Sequence, residues 1–117
     1  MEFVPHTIRL GPPWNSAASD GGTRHARKFG RPRTLDAAER VWLVCDHVPG
    51  PATVSLNATA VGILDAAGPF AADITSLLLP RNEVVFAIAS ESPLGAVALE
   101  IRSASSARGT GLQTGEA

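Results

Sequence analysis

Residues 39–48 read Glu-Arg-Val-Trp-Leu-Val-Cys-Asp-His-Val, and this segment decides the fold class. Successive side chains of an extended chain point to opposite faces. Val41 and Leu43 therefore share one face, while Trp42 and Val44 share the other. Apolar residues on both faces predict a central strand that is covered on both sides over most of its length, with Trp42 in the core.

Shorter segments of the same kind recur on both sides of this strand, with turn signals between them. Asn57-Ala58 fits a two-residue hairpin turn, and residues 73–80 fit a single helical turn that Pro80 ends. The predicted strands cover residues 3–10, 24–29, 39–48, 53–57, 59–64, 70–74, 82–89 and 95–102. This pattern of short strands with turn signals between them predicts an all-β fold, a sandwich or a barrel.

Three details of this prediction concern the placement of individual segments. Residues 15–23 are small, polar and glycine-bearing, which predicts a loop. Residues 24–29 carry several positive charges, which predicts an edge strand, because charge discourages the addition of another strand. Residues 59–64 predict the return strand of the hairpin, which runs through Val61 and Ile63.

The composition is that of one globular domain. The chain has 117 residues, of which 44% are hydrophobic and 18% charged. We expect a sandwich domain over residues 1–102 and a disordered tail over residues 103–117, which has no periodicity and few large apolar residues. Aromatic residues make up only 5% of the chain, so the core must be mostly aliphatic.

The sequence favours a cytoplasmic protein that does not enter a membrane. Cys45 is the only cysteine, so no disulfide can form within the chain. Met1 is followed by Glu2 rather than by a basic segment and an apolar run, so we expect no signal peptide. No run of apolar residues is long enough to cross a bilayer as a helix.

Several short segments carry a family resemblance that covers about residues 39–102. These segments are 40–48 itself, Val54-Ser55-Leu56-Asn57, Ala60-Val61-Gly62, Asp73-Ile74-Thr75, Arg81-Asn82-Glu83-Val84 and the closing strand 95–101. Together they resemble the sugar-binding jelly-roll domain of glycoside hydrolase family 2. This resemblance implies that the all-β fold is a single jelly-roll or galactose-binding-like β-sandwich of about eight strands. Ala58 departs from the pattern, because the family usually has glycine there. The resemblance implies a non-catalytic binding or accessory module, with carbohydrate as a candidate ligand, and it transfers no catalytic residue.

Positive charge is concentrated in residues 24–40, which hold six of the ten basic residues. Such a segment can bind phosphates or an acidic polysaccharide, or it can protect an edge strand by its charge. A net charge of -1 argues against nucleic acid as a partner. Trp14 is either an exposed sugar platform or a residue that closes one end of the core. The candidate ligand-binding residues are Trp14, Arg24, Arg27, Arg31 and Arg33, which we expect at one loop end beside 49–51.

The sequence contains no motif for catalysis or for a cofactor. It has no nucleophile elbow and no glycine-rich phosphate loop. Cys45 and His47 are two residues apart, but Cys45 shares a face with Val41 and is expected to be a buried structural thiol. The three histidines lie far apart, so no metal site is predicted. Carboxylates at turns could hold a structural calcium ion, although no calcium-loop motif supports one.

Three functional hypotheses therefore stay open. The first is a non-catalytic binding or accessory module, with carbohydrate as the candidate ligand. The second is a structural or interaction domain, such as a homodimer that pairs through a sheet face or edge. The third is an anion binder or nucleic-acid binder that uses the basic segment. An enzyme ranks last, for want of a nucleophile, a metal site or paired acids.

Overall fold

The computed structural model describes residues 6–32 and 37–103, and in these ranges the chain forms an all-β sandwich of nine strands. The strands are β1 (His6–Arg9), β2 (Asn15–Ser19), β3 (Gly22–Gly30), β4 (Glu39–Val48), β5 (Ala52–Leu56), β6 (Thr59–Leu64), β7 (Gly68–Asp73), β8 (Arg81–Ile88) and β9 (Val97–Ser103). A short 3-10 turn over Thr75–Leu77 provides the predicted helical turn. The predicted fold class is confirmed. Within the described ranges, no helix has the length and apolar character needed to cross a membrane.

Both sheets are antiparallel, and they pack face to face. One has the order β1-β9-β4-β7 and the other β2-β3-β8-β5-β6. Strand β4 is interior in the first sheet, as predicted. Only one of its faces meets the second sheet, however, so Trp42 lies half-buried on the outer face and not in the core. The prediction that β4 is covered on both sides was therefore wrong.

The core lies between the two sheets and is mostly aliphatic. Its largest fully buried side chains are Phe86, Leu43, Leu56, Ile74, Leu99, Val41, Val48, Val54 and Val84. Except for Ile74, which follows β7, they come from β4, β5, β8 and β9, mostly at alternate positions, because a strand presents every second side chain to the same face. The inward positions predicted for β4, β8 and β9 are confirmed.

Strand β2 lies where the sequence predicted a loop, and this correction changes the place of β3. Ser19 pairs with Gly22, so Asp20-Gly21 forms a two-residue hairpin turn with Gly21 at a φ of 77°. An Asp-Gly pair between two strands is a strong hairpin signal. Because β3 lies between β2 and β8, it is not the edge strand that its charge predicted.

The predicted hairpin turn between β5 and β6 is confirmed, but β6 contains a bulge. Asn57 and Ala58 both have positive φ, at 52° and 70°. Val54 pairs with Gly62 and Ser55 with Ala60, which leaves Val61 as an extra residue. The bulge shifts the alternation, so Val61 packs against the core while Ile63 is 74% exposed.

The predicted domain boundary falls where the described residues end. Ser103 is the last residue of β9, and the remainder of the predicted tail, 104–117, lies outside the described residues. Positions 3–5 of the predicted first strand also lie outside them.

Candidate functional site

Arg24, Arg27 and Lys28 all lie on β3, but they do not share a face. Arg27 pairs with the buried Val84, which places it on the inner side of the sheet. Arg24 and Lys28 occupy the alternate register and lie on the outer side. The basic segment is therefore divided between two faces and does not form one continuous cationic surface.

The remaining predicted site residues lie at different places. Arg31 follows β3 and is exposed, and its backbone N–H donates to the carbonyl of Pro80 at 3.1 Å. Arg33 lies outside the described residues. The 49–51 turn lies near the opposite end of the sheet, where the carbonyl of Pro51 accepts from Ala89 N at 2.8 Å. The loop end that was expected to gather all these residues is therefore not formed.

Trp14 packs as part of the core. Its ring meets Phe86 edge to face, with the ring centroids 6.2 Å apart and the planes at 61°. Its Nε1–H donates to the carbonyl of Leu10 at 3.0 Å, which satisfies the polar atom of the indole. Trp14 thus closes one side of the sandwich, and only part of its surface remains open to solvent.

That open part of Trp14 borders a groove beside β3. The groove has a volume of about 460 Å³ and is lined by Pro13, Trp14, Asn15, Ala26, Arg27, Lys28 and Glu83. A second depression of about 560 Å³ adjoins it and adds Phe29, Gly30, Asn57, Arg81 and Asn82. Three ionisable residues line both depressions, namely Arg27, Lys28 and Glu83. We call these two adjoining depressions the β3 groove.

The guanidinium of Arg27 is held in place at this groove. Its Nε–H donates to the carbonyl of Gly11 at 2.6 Å, and its Nη1 donates to the carbonyl of Lys28. These bonds use only part of the five N–H donors of arginine. Arg27 therefore offers a positioned cation with spare donors, while Lys28 is exposed.

Asn57 and Asn82, beside the groove, connect neighbouring segments of the sandwich by hydrogen bonds that were not predicted from the sequence. Asn82 is 3% exposed, and its Oδ1 accepts from Leu79 N at 2.8 Å and from Asn57 Nδ2 at 3.0 Å. Asn82 Nδ2 donates to the carbonyl of Leu79 at 2.8 Å. Asn57 Oδ1 in turn accepts from Glu83 N at 2.9 Å. Asn57 and Asn82 belong to two of the segments that carry the family resemblance, and both thus have a structural role.

Ser16 and His25 form a polar pair across β2 and β3, with 2.7 Å between Ser16 Oγ and His25 Nδ1. Burial lowers the pKa of His25. Its Nε2 is buried and has no hydrogen-bond partner among the described residues. A catalytic serine–histidine pair needs a third group that orients the imidazole, and none is present in the described ranges.

Cys45 is the buried thiol that the sequence predicted. It is 2% exposed on the inner face of β4, and its Sγ donates to the carbonyl of His47 at 3.4 Å. Burial raises the pKa of the Cys45 thiol. The His47 side chain is exposed, so these two residues do not form a nucleophile and its base.

The acidic residues at turns are engaged by nearby protein groups. Asp46 Oδ1 accepts from Ala96 N at 2.7 Å. Asp73 Oδ1 accepts from Thr75 N at 3.0 Å, and its Oδ2 accepts from Arg40 Nε at 2.8 Å. Burial acts to raise the pKa of Asp73, but the bonds from Arg40 and Thr75 outweigh it, and this pKa is lowered. Across residues 6–32 and 37–103, no group of three or more potential metal ligands comes together.

The outer face of the four-stranded sheet is a second candidate surface. The guanidinium of Arg102 lies 4.5 Å from the centre of the Trp42 ring and also contacts Glu100 at 2.7 Å. Beside them lies a shallow apolar depression of about 370 Å³, whose floor includes Val44 and Ala98. Internal ion pairs therefore already neutralise much of the charge on this face.

The comparisons with known proteins concern the fold. No family model matches the sequence, and no curated protein matches it. The structure is similar to that of a β-glucuronidase from Bifidobacterium dentium, determined with coumarin-3-O-glucuronide, with a TM-score of 0.73 at 14% identity. That match covers 88% of this chain and 31% of the enzyme.

A β-glucuronidase from an uncultured Clostridium species matches with a TM-score of 0.58 at 19% identity, over 69% of this chain and 19% of that one. The chain thus spans less than a third of the length of these enzymes. The predicted resemblance to a sandwich domain of glycoside hydrolase family 2 is confirmed for the fold. At these identities, the similarity concerns the fold alone.

Proposed function

We propose that this chain is a non-catalytic module that binds carbohydrate, and that its ligand is an acidic saccharide. The observation that carries the proposal is the β3 groove, where Trp14 borders the same depression as Arg27 and Lys28. The apolar face of a pyranose ring packs on an indole, and arginine and lysine bind a carboxylate through charge-assisted hydrogen bonds.

The charge of the groove favours an acidic ligand over a neutral one. Arg27, Lys28 and Arg81 line it together with a single carboxylate, that of Glu83. A uronic acid would place its ring near Trp14 and its carboxylate near Arg27. The similarity to β-glucuronidases supports the same class of ligand, because a glucuronide carries such a carboxylate.

The absence of a catalytic constellation in the described residues supports a binding role. Cys45 is buried, and the Ser16–His25 pair lacks a third member, so neither provides an activated nucleophile. We therefore expect the chain alone to leave 4-nitrophenyl β-glucuronide and 4-nitrophenyl β-galactoside unhydrolysed.

Binding can be tested by calorimetric titration with an oligosaccharide that contains glucuronate, and with a neutral galacto-oligosaccharide of equal length. Lys28→Gln should weaken binding of the acidic ligand by about 5-fold to 10-fold, because it removes one charge-assisted contact worth about 1 kcal/mol. Arg24→Gln is the matched control: it removes one charge from the same strand, outside the groove, and should change affinity less than about 2-fold.

Equal losses in the two variants would show that only the general charge of β3 matters. No heat of binding and no chemical-shift change with either saccharide would overturn the proposal.

A further inference from the structure

The sandwich has four edge strands, and three of them carry features that discourage another strand from pairing. Strand β1 ends at the charged Arg9, and charge on an edge discourages another strand. Strand β7 contains Pro69, which lacks an N–H donor. Strand β6 contains the bulge at Val61, which interrupts a regular ladder.

Strand β2 is the exception. Its five residues, Asn-Ser-Ala-Ala-Ser, are all exposed and include no charge and no proline. Its pairing with β3 runs without a register shift from Asn15 to Ser19. Among the residues that the structure describes, no strand pairs with its other side. An uncharged, regular and open edge of this kind is a template for strand addition.

The hairpin geometry shows which backbone groups are free. A two-residue turn is closed by a hydrogen-bonded pair, here Ser19 and Gly22. Hydrogen-bonded and non-hydrogen-bonded pairs alternate along an antiparallel ladder. The N–H and C=O groups of Ser16 and Ala18 therefore point away from β3, toward solvent.

We propose that strand β2 pairs antiparallel with β2 of a second copy of this chain, about a two-fold axis at Ala17. In this register Ser16 of each copy lies opposite Ala18 of the other, so four backbone hydrogen bonds form between the outward groups. Ala17 lies opposite its own counterpart, and every side chain of the strand meets a small, uncharged one. A two-fold contact is closed, so it yields a dimer and not a fibre.

The positive charge of Arg24 on the neighbouring strand β3 is compatible with this pairing. Arg24 is the nearest cation, because it pairs with Ala17 within one chain. In the dimer the two Arg24 backbones are three strand spacings apart, about 14 Å. That separation exceeds the Debye length of about 8 Å at physiological salt, so their repulsion is largely screened. A partner strand with its own positive charges would be less favoured beside Arg24.

The interface is small, so the dimer should be weak. Two edge strands meet mainly through backbone atoms over a small area, so we expect a dissociation constant of the order of 100 µM. Sedimentation equilibrium of the full chain between about 10 µM and about 1 mM covers this range. The average mass should rise from the monomer value of 12.1 kDa toward twice that value.

Ala17→Lys tests whether the two-fold axis lies at Ala17. In the proposed dimer it would place two ammonium groups directly opposite each other, where like charges are destabilising. This variant should stay monomeric at every concentration. An equal mixture of Ala17→Lys with Ala17→Glu should recover the dimer, since opposite charges then meet at the axis. Ala60→Lys is the matched control: it adds the same charge to the exposed edge strand β6 and should dimerise like the natural chain.

A second variant tests the backbone directly. Ala18→Pro removes one outward N–H from an edge position where proline is tolerated, so it should fold and yet fail to dimerise. A natural chain that stays monomeric at about 1 mM, or an Ala17→Lys variant that dimerises as well as the Ala60→Lys control, would overturn the proposal. Neither result depends on saccharide binding, which the titrations above measure separately.

Discussion

Asn82 shows how much a single buried side chain does in this molecule. It is the one buried polar residue in the core of the described ranges, and all its hydrogen bonds are made within the protein. Through Leu79 and Asn57 it joins the start of β8 to the segment before it and to the β5–β6 turn. An unsatisfied buried polar group costs more free energy than the bond itself contributes, so the whole cluster depends on its presence.

Asn82→Ala should therefore lower the free energy of unfolding by about 2 to 4 kcal/mol, because it leaves the backbone N–H and C=O of Leu79 without their partner and removes one of the bonds of the Asn57 amide. Denaturant titration measures this loss. Asn15→Ala, at an exposed position, should change stability by less than about 0.5 kcal/mol. Equal effects of the two substitutions would show that the asparagine cluster adds no stability.

His25 predicts a dependence of stability on pH. Burial lowers its pKa in the folded state, so the unfolded chain binds the proton more readily. Stability should then be constant at high pH, begin to fall as the pH drops below the ordinary histidine range near 6.5, and level off below the folded-state pKa.

Unfolding curves between about pH 7.5 and about pH 5 test this, since the carboxylates mostly titrate lower. His25→Gln should remove the slope. A slope that persists in this variant would assign the effect to another group.

At the scale of the elements, the β5–β6 turn carries a strained residue. Ala58 has a φ of 70°, a left-handed conformation that costs a residue with a Cβ atom about 1 to 2 kcal/mol. The turn forms nonetheless, because Asn57 is fixed by its bonds to Asn82 and to Glu83. The hydrogen-bonded cluster thus compensates for a turn residue that is unfavourable in isolation.

Ala58→Gly should stabilise the protein by about 0.5 to 1 kcal/mol, because relief of the left-handed strain exceeds the added entropy of the unfolded chain. Ala66→Gly, in a turn with ordinary φ, should destabilise it by up to about 1 kcal/mol. Thermal unfolding of both variants gives the comparison. A loss of stability in Ala58→Gly would mean that neighbouring residues of the turn already relieve the strain at Ala58.

At the scale of the whole molecule, the parts that could be predicted from sequence are those that strict alternation controls. Strands β4, β8 and β9 each bury every second residue, so their inward side chains follow directly from the pattern. Strand β2 could not be found in this way, because Asn-Ser-Ala-Ala-Ser buries nothing. The sequence signal for β2 was the Asp20-Gly21 pair. The hairpin that this pair forms places β2 outside β3, so β3 is not an edge strand.

The candidate site was predicted less completely, for two physical reasons. Alternation along β3 separates Arg27 from Arg24 and Lys28, so the basic segment forms no single patch, and of these three only Arg27 and Lys28 line the β3 groove. Trp14 meets Phe86 only because the chain turns between β1 and β2, and no local pattern encodes that contact. The bulge at Val61 likewise becomes visible only in the pairing of two strands.

The two tryptophans, one just before β2 and the other on β4, give the molecule two separate optical reporters. The chain has no tyrosine, so its near-ultraviolet emission comes almost wholly from these indoles. Trp14 lies beside the β3 groove and next to β2, whereas Trp42 lies under the guanidinium of Arg102 on the other sheet. In a Trp42→Phe variant, the fluorescence would follow saccharide binding and strand pairing alone. In a Trp14→Phe variant, it would follow events on the opposite face.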